Sequence, residues 1–452
     1  MDDQQEHVLR TISDRGIRYV RLWFTDIVGT LKSVAVAPVE LDNAFAEGVG
    51  FDGSAIQGLT RVYESDMIAR PDASTFAVLR GVDGSDDAAF MFCDILTREG
   101  EPARSDPRAI LQRTLRRCED LGFTAYAHPE VEFYLFQPGA SDDEEPTPID
   151  SASYFDYVTR SVAHNFRRDV ILSLEDVGIS VEFSHHEIGP GQQEVDLRYA
   201  DCLTMADSIM AARVIIKEVA LRHGVEASFM PKPLAHWPGS AMHTHFSLFE
   251  GETNAFHDPR GQFGMSVTAR RFLAGLMRHA REITAVTNQH VNSYKRLWGG
   301  GEAPPYVCWG PRNQSALVRV PEYKPTKPQS ARLEYRALDT AANPYLAFAA
   351  VLGAGLAGIE GKYDLSDPAD TDVLLLTDME RSVLGIESLP GSLDSALKLM
   401  ESSDLVAEIL GEDAFDYFLR DKRAEWAEYR AAPSIWLAIH PGRCPLISKA
   451  WL

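Results

Sequence analysis

Cysteine is scarce in this chain. The five residues (Cys93, Cys118, Cys202, Cys308, Cys444) are odd in number, scattered, and form no C-x-x-C pair. That excludes a disulfide framework and a thiolate zinc site. Basic charge is also short: 44 Lys and Arg against 66 Asp and Glu give a net charge of −22. Nucleic acid and anionic membranes are therefore poor partners. The longest apolar run, 346–359, has 14 residues, too few to span a bilayer and suited to a buried helix. Asn343 caps that run and Pro344 occupies its first turn. The opening MDDQQEHVLR is acidic, where a secretory signal needs positive charge and then an apolar stretch. The expected compartment is the cytoplasm. No Walker A sequence occurs, so any ATP must have its phosphates held by metals and arginines. Gly48, Gly50 and Gly53 satisfy G-x-G-x-x-G, but they follow a helical pattern rather than a strand, so no dinucleotide site is expected.

With 452 residues, 45% apolar and 24% charged, the chain reads as soluble, globular and too long for one ordinary core. A helix over 5–15, strands in IRYVRLWFTD and LKSVAVAP, a helix in VELDNAFAEG, a loop from Gly50 to Gly58, and strands in TFAVLRG and AAFMFCDIL make a small mixed sheet. It ends near residue 105. Asp106-Pro107 then opens a helix closed by Gly122. Strands and helices alternate irregularly over 106–452, which predicts an α+β fold. The acidic SDDEEPTP stretch reads as a solvated surface loop.

Against these absences stand three pairs of polar residues spaced two apart within strand-like sequence. They are Glu130/Glu132 in AHPEVEFYLF, His243/His245 in GSAMHTHFSLF, and Glu334/Arg336 in RLEYRAL. Residues i and i+2 of a strand lie on one face, roughly 6–7 Å apart. Burying such groups unpaired costs several kcal/mol per ion. Alone, a glutamate pair would be a solvent-facing sheet surface, and a lone histidine a satisfied half-buried one. Together with Glu187 and Glu194, which bracket the turn IGPGQQ, and with Glu334, they supply five carboxylates near imidazole donors. That oxygen-rich set suits Mg²⁺ or Mn²⁺ better than zinc. Of His243 and His245, one suits a metal and the other a phosphate oxygen. His185 and His186 point opposite ways and receive no role. Arginines crowd the last third: Arg296, Arg312, Arg319, Arg332 and Arg336. Guanidinium groups grip carboxylates and phosphates bidentately, and Arg319 sits inside the apolar strand ALVRVP. Glu302, in WGGGEAPP, has the glycine-rich setting of a flap that excludes water.

From about residue 8 to residue 430 these segments resemble type I glutamine synthetase. The resemblance is carried by FDGSAIQG, HPEVEF, SHHEIGPGQQEVD, FMPKP, GSAMHTHFSL, NSYKRL, GGEAP, NQSALVRVP and RLEYRALDTAANPYL. It implies an N-terminal β-grasp domain (1–105), a larger catalytic α/β domain (106–452), and a dodecamer of two stacked rings with active sites between subunits. It further implies a first metal on Glu132, Glu187 and Glu194, and a second on Glu130, His243 and Glu334. His245, Ser247, Arg319 and Arg332 would meet ATP. Arg296, Arg336 and Gly239 would bind glutamate. Asp52 of an adjacent subunit would deprotonate ammonium, and Glu302 would close over the intermediate. The reaction implied is ATP-dependent ligation of glutamate to ammonia through γ-glutamyl phosphate. The sequence departs from the family pattern at Gln314, where an arginine is usual, at Ala55 for serine, and at Pro238 and Ala241 in the glutamate wall. After about Pro433 the tail is also unlike the family's. Two alternatives stay open: a γ-glutamyl-polyamine or γ-glutamyl-monoamine synthetase, and a weakly active paralogue acting as a nitrogen sensor. Tyr363 in KYDL has flanks unlike those of an adenylylated tyrosine, and adenylylation is not expected.

Overall fold

Two sheets organise the chain in the computed structural model, which describes residues 2–56, 58, 66–81, 87–139, 145–157, 162–300, 303–324, 326–369 and 371–431. The first sheet comprises β1 (Val20–Thr25), β2 (Leu31–Val36), β3 (Val49–Asp52), β4 (Asp66–Pro71), β5 (Ala77–Leu79) and β6 (Ala88–Thr97). Its order is β2-β1-β6-β4-β3, with β5 also on β6. β1 and β6 run parallel and the other pairs are antiparallel. Helices α1 (Asp3–Arg15) and α2 (Leu41–Glu47) bury Val8, Ile12, Leu41 and Phe45 with Leu22, Phe24 and Met91 of the sheet. α1 begins in a capping box between Asp2 and Gln5 and stops at Gly16, whose φ of 63° favours glycine.

One expectation needs correction here. The stretch expected as a loop from Gly50 begins as strand, because Val49–Asp52 pairs with Ala69–Asp66 of β4. Glycines at 48, 50 and 53 mask this edge strand in the sequence. Its partner, DMIARP, carries charge and proline and does not read as a strand at all.

The second sheet holds β7 (Thr124–Phe136), β8 (Val181–His186), β9 (Gln192–Leu197), β10 (Ala200–Asp201), β11 (Glu226–Ser228), β12 (Met242–Glu250), β13 (Thr253–Asn254), β14 (Trp309–Gly310), β15 (Val318–Arg319) and β16 (Leu333–Tyr335). Its main path is β14-β15-β16-β12-β7-β9-β8. The predicted α+β class holds: neighbouring strands are mostly antiparallel, and helices pack on the sheet and on one another. Those helices are α3 (Pro107–Asp120), α4 (Val162–Asp176), α5 (Cys202–Arg222), α6 (Val267–Thr287), α7 (Val291–Leu297), α8 (Pro344–Glu360), α9 (Asp378–Val383), α10 (Leu393–Glu401), α11 (Asp404–Leu410) and α12 (Glu412–Ala431). α8 is the foreseen buried helix, capped by the Asn343 side chain on the Tyr345 amide. It crosses α6 closely enough that a Cβ at Gly358 would lie 2.1 Å from Arg271 O. Among the described residues no helix is long and apolar enough to cross a membrane.

Polar ties join the two sheets. The Asn343 amide donates to Asp26 O at 3.1 Å, and Gln289 donates to Val28 O at 2.6 Å. Buried Arg108 on α3 pairs with Asp72 (2.8 Å) just past β4, with Asp94 (2.5 Å) on β6 and with Asp207 (3.0 Å) on α5. Asp106, the N-cap of α3, accepts from the Arg108 and Ala109 amides. Burial, reinforced by the neighbouring Asp94 charge, pushes its carboxyl up to about 7 from the ordinary 3.8. The unfolded chain loses this proton at lower pH than the folded one, so stability falls as pH rises from about 4 through 7. Asn caps a helix as well as Asp. Asp106→Asn is therefore expected to raise Tm at pH 8 and to leave it unaltered near pH 4, read by melts across that range.

Candidate active site

Strand register assembles the polar face. In antiparallel strands, residues directly opposite lie on the same side of the sheet. Glu130 faces His243 across β7 and β12, and His245 faces His128. On the other flank of β12, His245 faces Glu334, and Glu334 in turn faces Arg319. Toward the opposite edge, Glu132 faces Glu194 and Glu130 faces Asp196, while Glu194 faces His185. The i, i+2 pairs thus meet on one face, as their spacing predicted.

Two groups of donors stand out. Glu130, His243 and Glu334 place one ligand atom each within 4.8 Å of one another, and so do His185, Glu187 and Glu194. In the first group, Arg332 Nε donates to His245 Nδ1 at 3.2 Å. The proton of His245 is therefore on Nε2, which donates to Glu130 at 2.7 Å. His243 Nδ1 bonds the second Glu130 oxygen at 3.2 Å. Burial, with help from the Arg336 charge, lowers the His243 pKa, so the ring is neutral and Nε2 keeps a lone pair suited to a cation. Burial pushes the Glu130 carboxyl up, but the bonds from His243 and His245 outweigh it and hold the group below the usual range. Glu334 is fully buried and ion-paired to both Arg319 and Arg336.

Around the second group, carboxylates outnumber their cationic partners. Glu132 accepts from the Ala241 amide (2.8 Å) and the Gln192 side chain (3.1 Å). Burial, then the charges of Glu194 and Glu187, push its carboxyl well above the ordinary 4.5. Asp196 is raised to about 10 by burial and by Glu194 and Glu130. His185 lies 2.9 Å from Glu194. Its pKa is lowered by burial but raised on balance by the Glu194 and Glu187 carboxylates. Carboxylates crowded on β7, on β9 and just past the end of β8 call for positive charge, and an oxygen-plus-imidazole set fits a hard divalent cation.

A cavity of about 470 Å³ opens beside this face, lined by Tyr126, His128, Tyr199, His245, Ser247 and Arg332 among others. Three residues expected at ATP are thus together, and Arg319 lies next to them on Glu334. On the other side, buried Arg296 donates to Ala337 O (2.8 Å) and Arg336 O (3.0 Å). Gly239 packs on its stem: a Cβ there would stand 2.3 Å from Pro231 O and 2.7 Å from Arg296 Cγ. Gly239→Ala is expected to push Arg296 aside and raise the glutamate KM at least tenfold, with a smaller change in KM for ATP, measured by steady-state kinetics. The unusual Pro238 and Ala241 keep their backbone bonds, from Tyr134 Oη (2.7 Å) and to Glu132 respectively.

Some expected residues stand elsewhere. Asp52 is exposed on the edge strand of the first sheet, with its carboxylate bonded to Ser54 (2.7 and 2.9 Å). Gln314 is exposed on the 311–315 turn and lines a separate cavity of about 900 Å³ with His257, Phe263 and Tyr323. Ala55 is exposed beside Ser54. Tyr363 is half-buried beneath the Arg278 guanidinium, 4.4 Å from its ring centre. Glu302 and the tail beyond residue 431 lie outside the described residues. His128, His185 and Asp196 belong to the face but were not anticipated. Glu194/Asp196 is a further i, i+2 pair, and His128 extends the Glu130/Glu132 series by one step, so the signal was present.

Such a face, cation-demanding and next to a nucleotide-sized cavity, is what an ATP- and metal-dependent enzyme needs. Residues 104–438 match the glutamine synthetase catalytic domain and residues 16–98 its β-grasp domain. The chain is 58% identical over 433 residues to a glutamine synthetase of Mycolicibacterium smegmatis, covering 95% of this chain and 97% of the relative. It is 42% identical to one of Staphylococcus epidermidis, covering 96% of each. A solved GmaS/ADP complex superimposes with a TM-score of 0.83 at 33% identity, covering 95% of this chain and 98% of that one. The chain belongs to the glutamine synthetase family, with an N-terminal β-grasp domain and a larger catalytic domain of helices and mixed sheet. The family uses ATP and a divalent metal.

Proposed function

We propose that this enzyme makes glutamine by ligating the γ-carboxylate of glutamate to ammonia, with ATP converted to ADP and phosphate. The observation that carries the reading is the register that gathers carboxylates and imidazoles from five strands beside the nucleotide-sized cavity. Two cations, Mg²⁺ or Mn²⁺, would be held by Glu132, Glu187, Glu194 and neighbouring His185, and by Glu130, His243 and Glu334. Bound there, they would offset charge on the transferring phosphoryl group. His245, Ser247, Arg319 and Arg332 bind the nucleotide. Arg296, Arg336 and the Gly239 wall bind glutamate and aim its γ-carboxylate at the γ-phosphate. Glutamate oxygen attacks phosphorus to give γ-glutamyl phosphate and ADP. The amine nitrogen then attacks the carbonyl carbon (Cδ) of the γ-glutamyl phosphate, the bond from that carbon to the phosphate oxygen breaks, and phosphate leaves with the electron pair. Asp52 takes the proton from ammonium and Glu302 shields the intermediate from water.

Because Asp52 sits on the edge strand of the first sheet, this scheme draws it from a second copy, in a homo-oligomer we read as a cytoplasmic dodecamer. The domains are taken as 1–105 and 106–452. The test is glutamate- and ammonium-dependent phosphate release with Mn²⁺ or Mg²⁺, with glutamine identified by mass spectrometry. No glutamine above the metal-free control would refute the proposal. A second reading, a γ-glutamyl-amine synthetase, is favoured by the likeness to GmaS and by Ala55, Pro238 and Ala241. The intact donor set weighs against a mere nitrogen sensor. Gln314→Arg decides that point, since a fully active wild type leaves the sensor reading without support.

A further inference from the structure

Glutamate binding as proposed above needs Arg296 and the Gly239 wall to keep one geometry, and both hang on one short helix. α7 has seven residues, and Arg296 stands in its last turn. Near its start, Asn292 Oδ1 accepts from the Lys232 amide at 2.6 Å, and Asn292 Nδ2 donates to Lys232 O at 3.1 Å. The preceding carbonyl, Pro231 O, accepts from the Ser240 amide at 2.8 Å. It is also the carbonyl against which Gly239 packs. The Asn292 and Arg296 side chains are both buried. Isolated helices shorter than about 12 residues are marginal in water, so packing must fix where α7 lies.

Two of its anchors come from α12, which supplies no residue to the scheme above. Glu425 Oε1 accepts from the Val291 amide at 3.0 Å. That amide is the first of α7, one of the donors a helix start leaves without an internal partner. The other Glu425 oxygen takes Lys422 Nζ at 3.0 Å and lies 3.6 Å from His290 Nδ1. Lys422 is buried, and Glu425 is nearer to it than Asp421, at 3.7 Å. Burial pushes the Glu425 carboxyl up, but Lys422, His290 and the Val291 amide outweigh it and hold the group below the usual range. Negative charge at this place also suits the helix dipole. One turn further along α12, the Tyr429 ring meets the far end of α7, with Lys295 Nζ 5.8 Å from its centre. Spacing of four puts Glu425 and Tyr429 on one face of α12.

We propose that Glu425, seconded by Tyr429, is a positioning residue for glutamate. By holding the start of α7 it fixes Arg296 and, through Asn292 and Lys232, the Gly239 wall, without touching the substrate. This rests on the ligase reading above. Among the described residues, none that lines the nucleotide-sized cavity belongs to α7 or α12. The effect of loosening the anchor therefore falls on glutamate and spares ATP.

The experiment uses the full-length protein and removes the buried ion pair in two ways, since apolar replacement of such a pair is often tolerated. Lys422→Met with Glu425→Leu leaves the Val291 amide without its acceptor, whereas Lys422→Met with Glu425→Gln keeps an oxygen there. Steady-state KM values for glutamate and ATP are measured at saturating ammonium, and size-exclusion chromatography records the assembly. The Glu425→Leu double variant is expected to raise the glutamate KM about tenfold or more while the ATP KM stays within about twofold. The Glu425→Gln double variant should stay near wild type on both. Tyr429→Leu should raise the glutamate KM alone, by about two- to fivefold. Both KM values rising together in the Glu425→Leu double variant, an unaltered glutamate KM in it, or equal impairment of the two double variants would overturn the proposal. Should the Glu425→Leu double variant fail to assemble, an unaltered glutamate KM in Tyr429→Leu refutes it instead. Failure of the ligase reading looks different, because the wild type then yields no glutamine at all.

Discussion

Glu132→Gln is expected to raise the Tm of the metal-free protein by a few degrees at pH 8 while lowering kcat by about 10²–10³-fold. The two effects share one cause. Glu132 is buried, with Glu194 directly opposite and Glu187 nearby, and together they push its carboxyl well above 4.5. In the unfolded chain it ionises at its ordinary value. Folding at neutral pH therefore costs either a proton taken up or a repelling charge buried, and stability falls as pH rises past about 4.5. Glutamine removes the charge yet keeps an oxygen for the Ala241 and Gln192 donors. Its advantage should shrink toward pH 5. Manganese should reverse the order: the wild type gains Tm on addition, and the variant gains distinctly less. Differential scanning fluorimetry at pH 5, 7 and 8, with EDTA or Mn²⁺, reads all of this. An identical Mn²⁺ response in the two proteins would sever Glu132 from metal binding.

How much of this was legible in the sequence follows from what a period of two can and cannot convey. Spacing put Glu130 with Glu132, His243 with His245 and Glu334 with Arg336 on common faces. It carried no information about which strand lies beside which. That Glu130 meets His243, and that Glu334 meets both His245 and Arg319, is a matter of register. Register is set by long-range packing such as Val131 and Phe133 on the opposite side of β7. His185 was passed over because an adjacent His-His pair points both ways, and no local rule says which ring turns inward. It is His185 that meets Glu194 and His186 that meets Asp150. Caps and breakers were more faithful guides, since Asp106-Pro107 and Asn343-Pro344 each begin a helix as expected. They failed at Gly50, where a glycine-rich edge strand imitates a loop. Asp52 shows a further limit: it lies exposed on the edge strand of the first sheet, and the part proposed for it, in the site of a second copy, is one that spacing within one chain cannot convey.

Glu334→Gln should do the opposite to the metal-free protein. Here the charge is compensated: Glu334 is completely buried, yet Arg319 and Arg336 both pair with it. Burial pushes its carboxyl up, while His245, Arg336 and His243 outweigh that and hold it below 4.5. A carboxyl with a lowered folded-state pKa stabilises the fold above 4.5 and loses that contribution as pH falls. Neutralising it leaves two guanidinium groups beside an uncharged partner, a loss of about 3–5 kcal/mol where a buried pair is broken. The Tm of Glu334→Gln should therefore drop by several degrees at pH 8 in EDTA, and less at pH 4, where the wild type has begun to lose the same charge. Activity should fall at least as far as in Glu132→Gln, because Arg319 and Arg336 lose their anchor along with the proposed metal ligand. Both residues are buried glutamates on one face of one sheet, and a count of ligands treats them alike. Opposite shifts in metal-free stability, with the same loss of catalysis, would show that the face has a precharged half built around arginines and a half whose charge awaits a cation. Parallel shifts would mean that the two halves are electrostatically one, and the separation drawn here between the two metal positions would have to be abandoned.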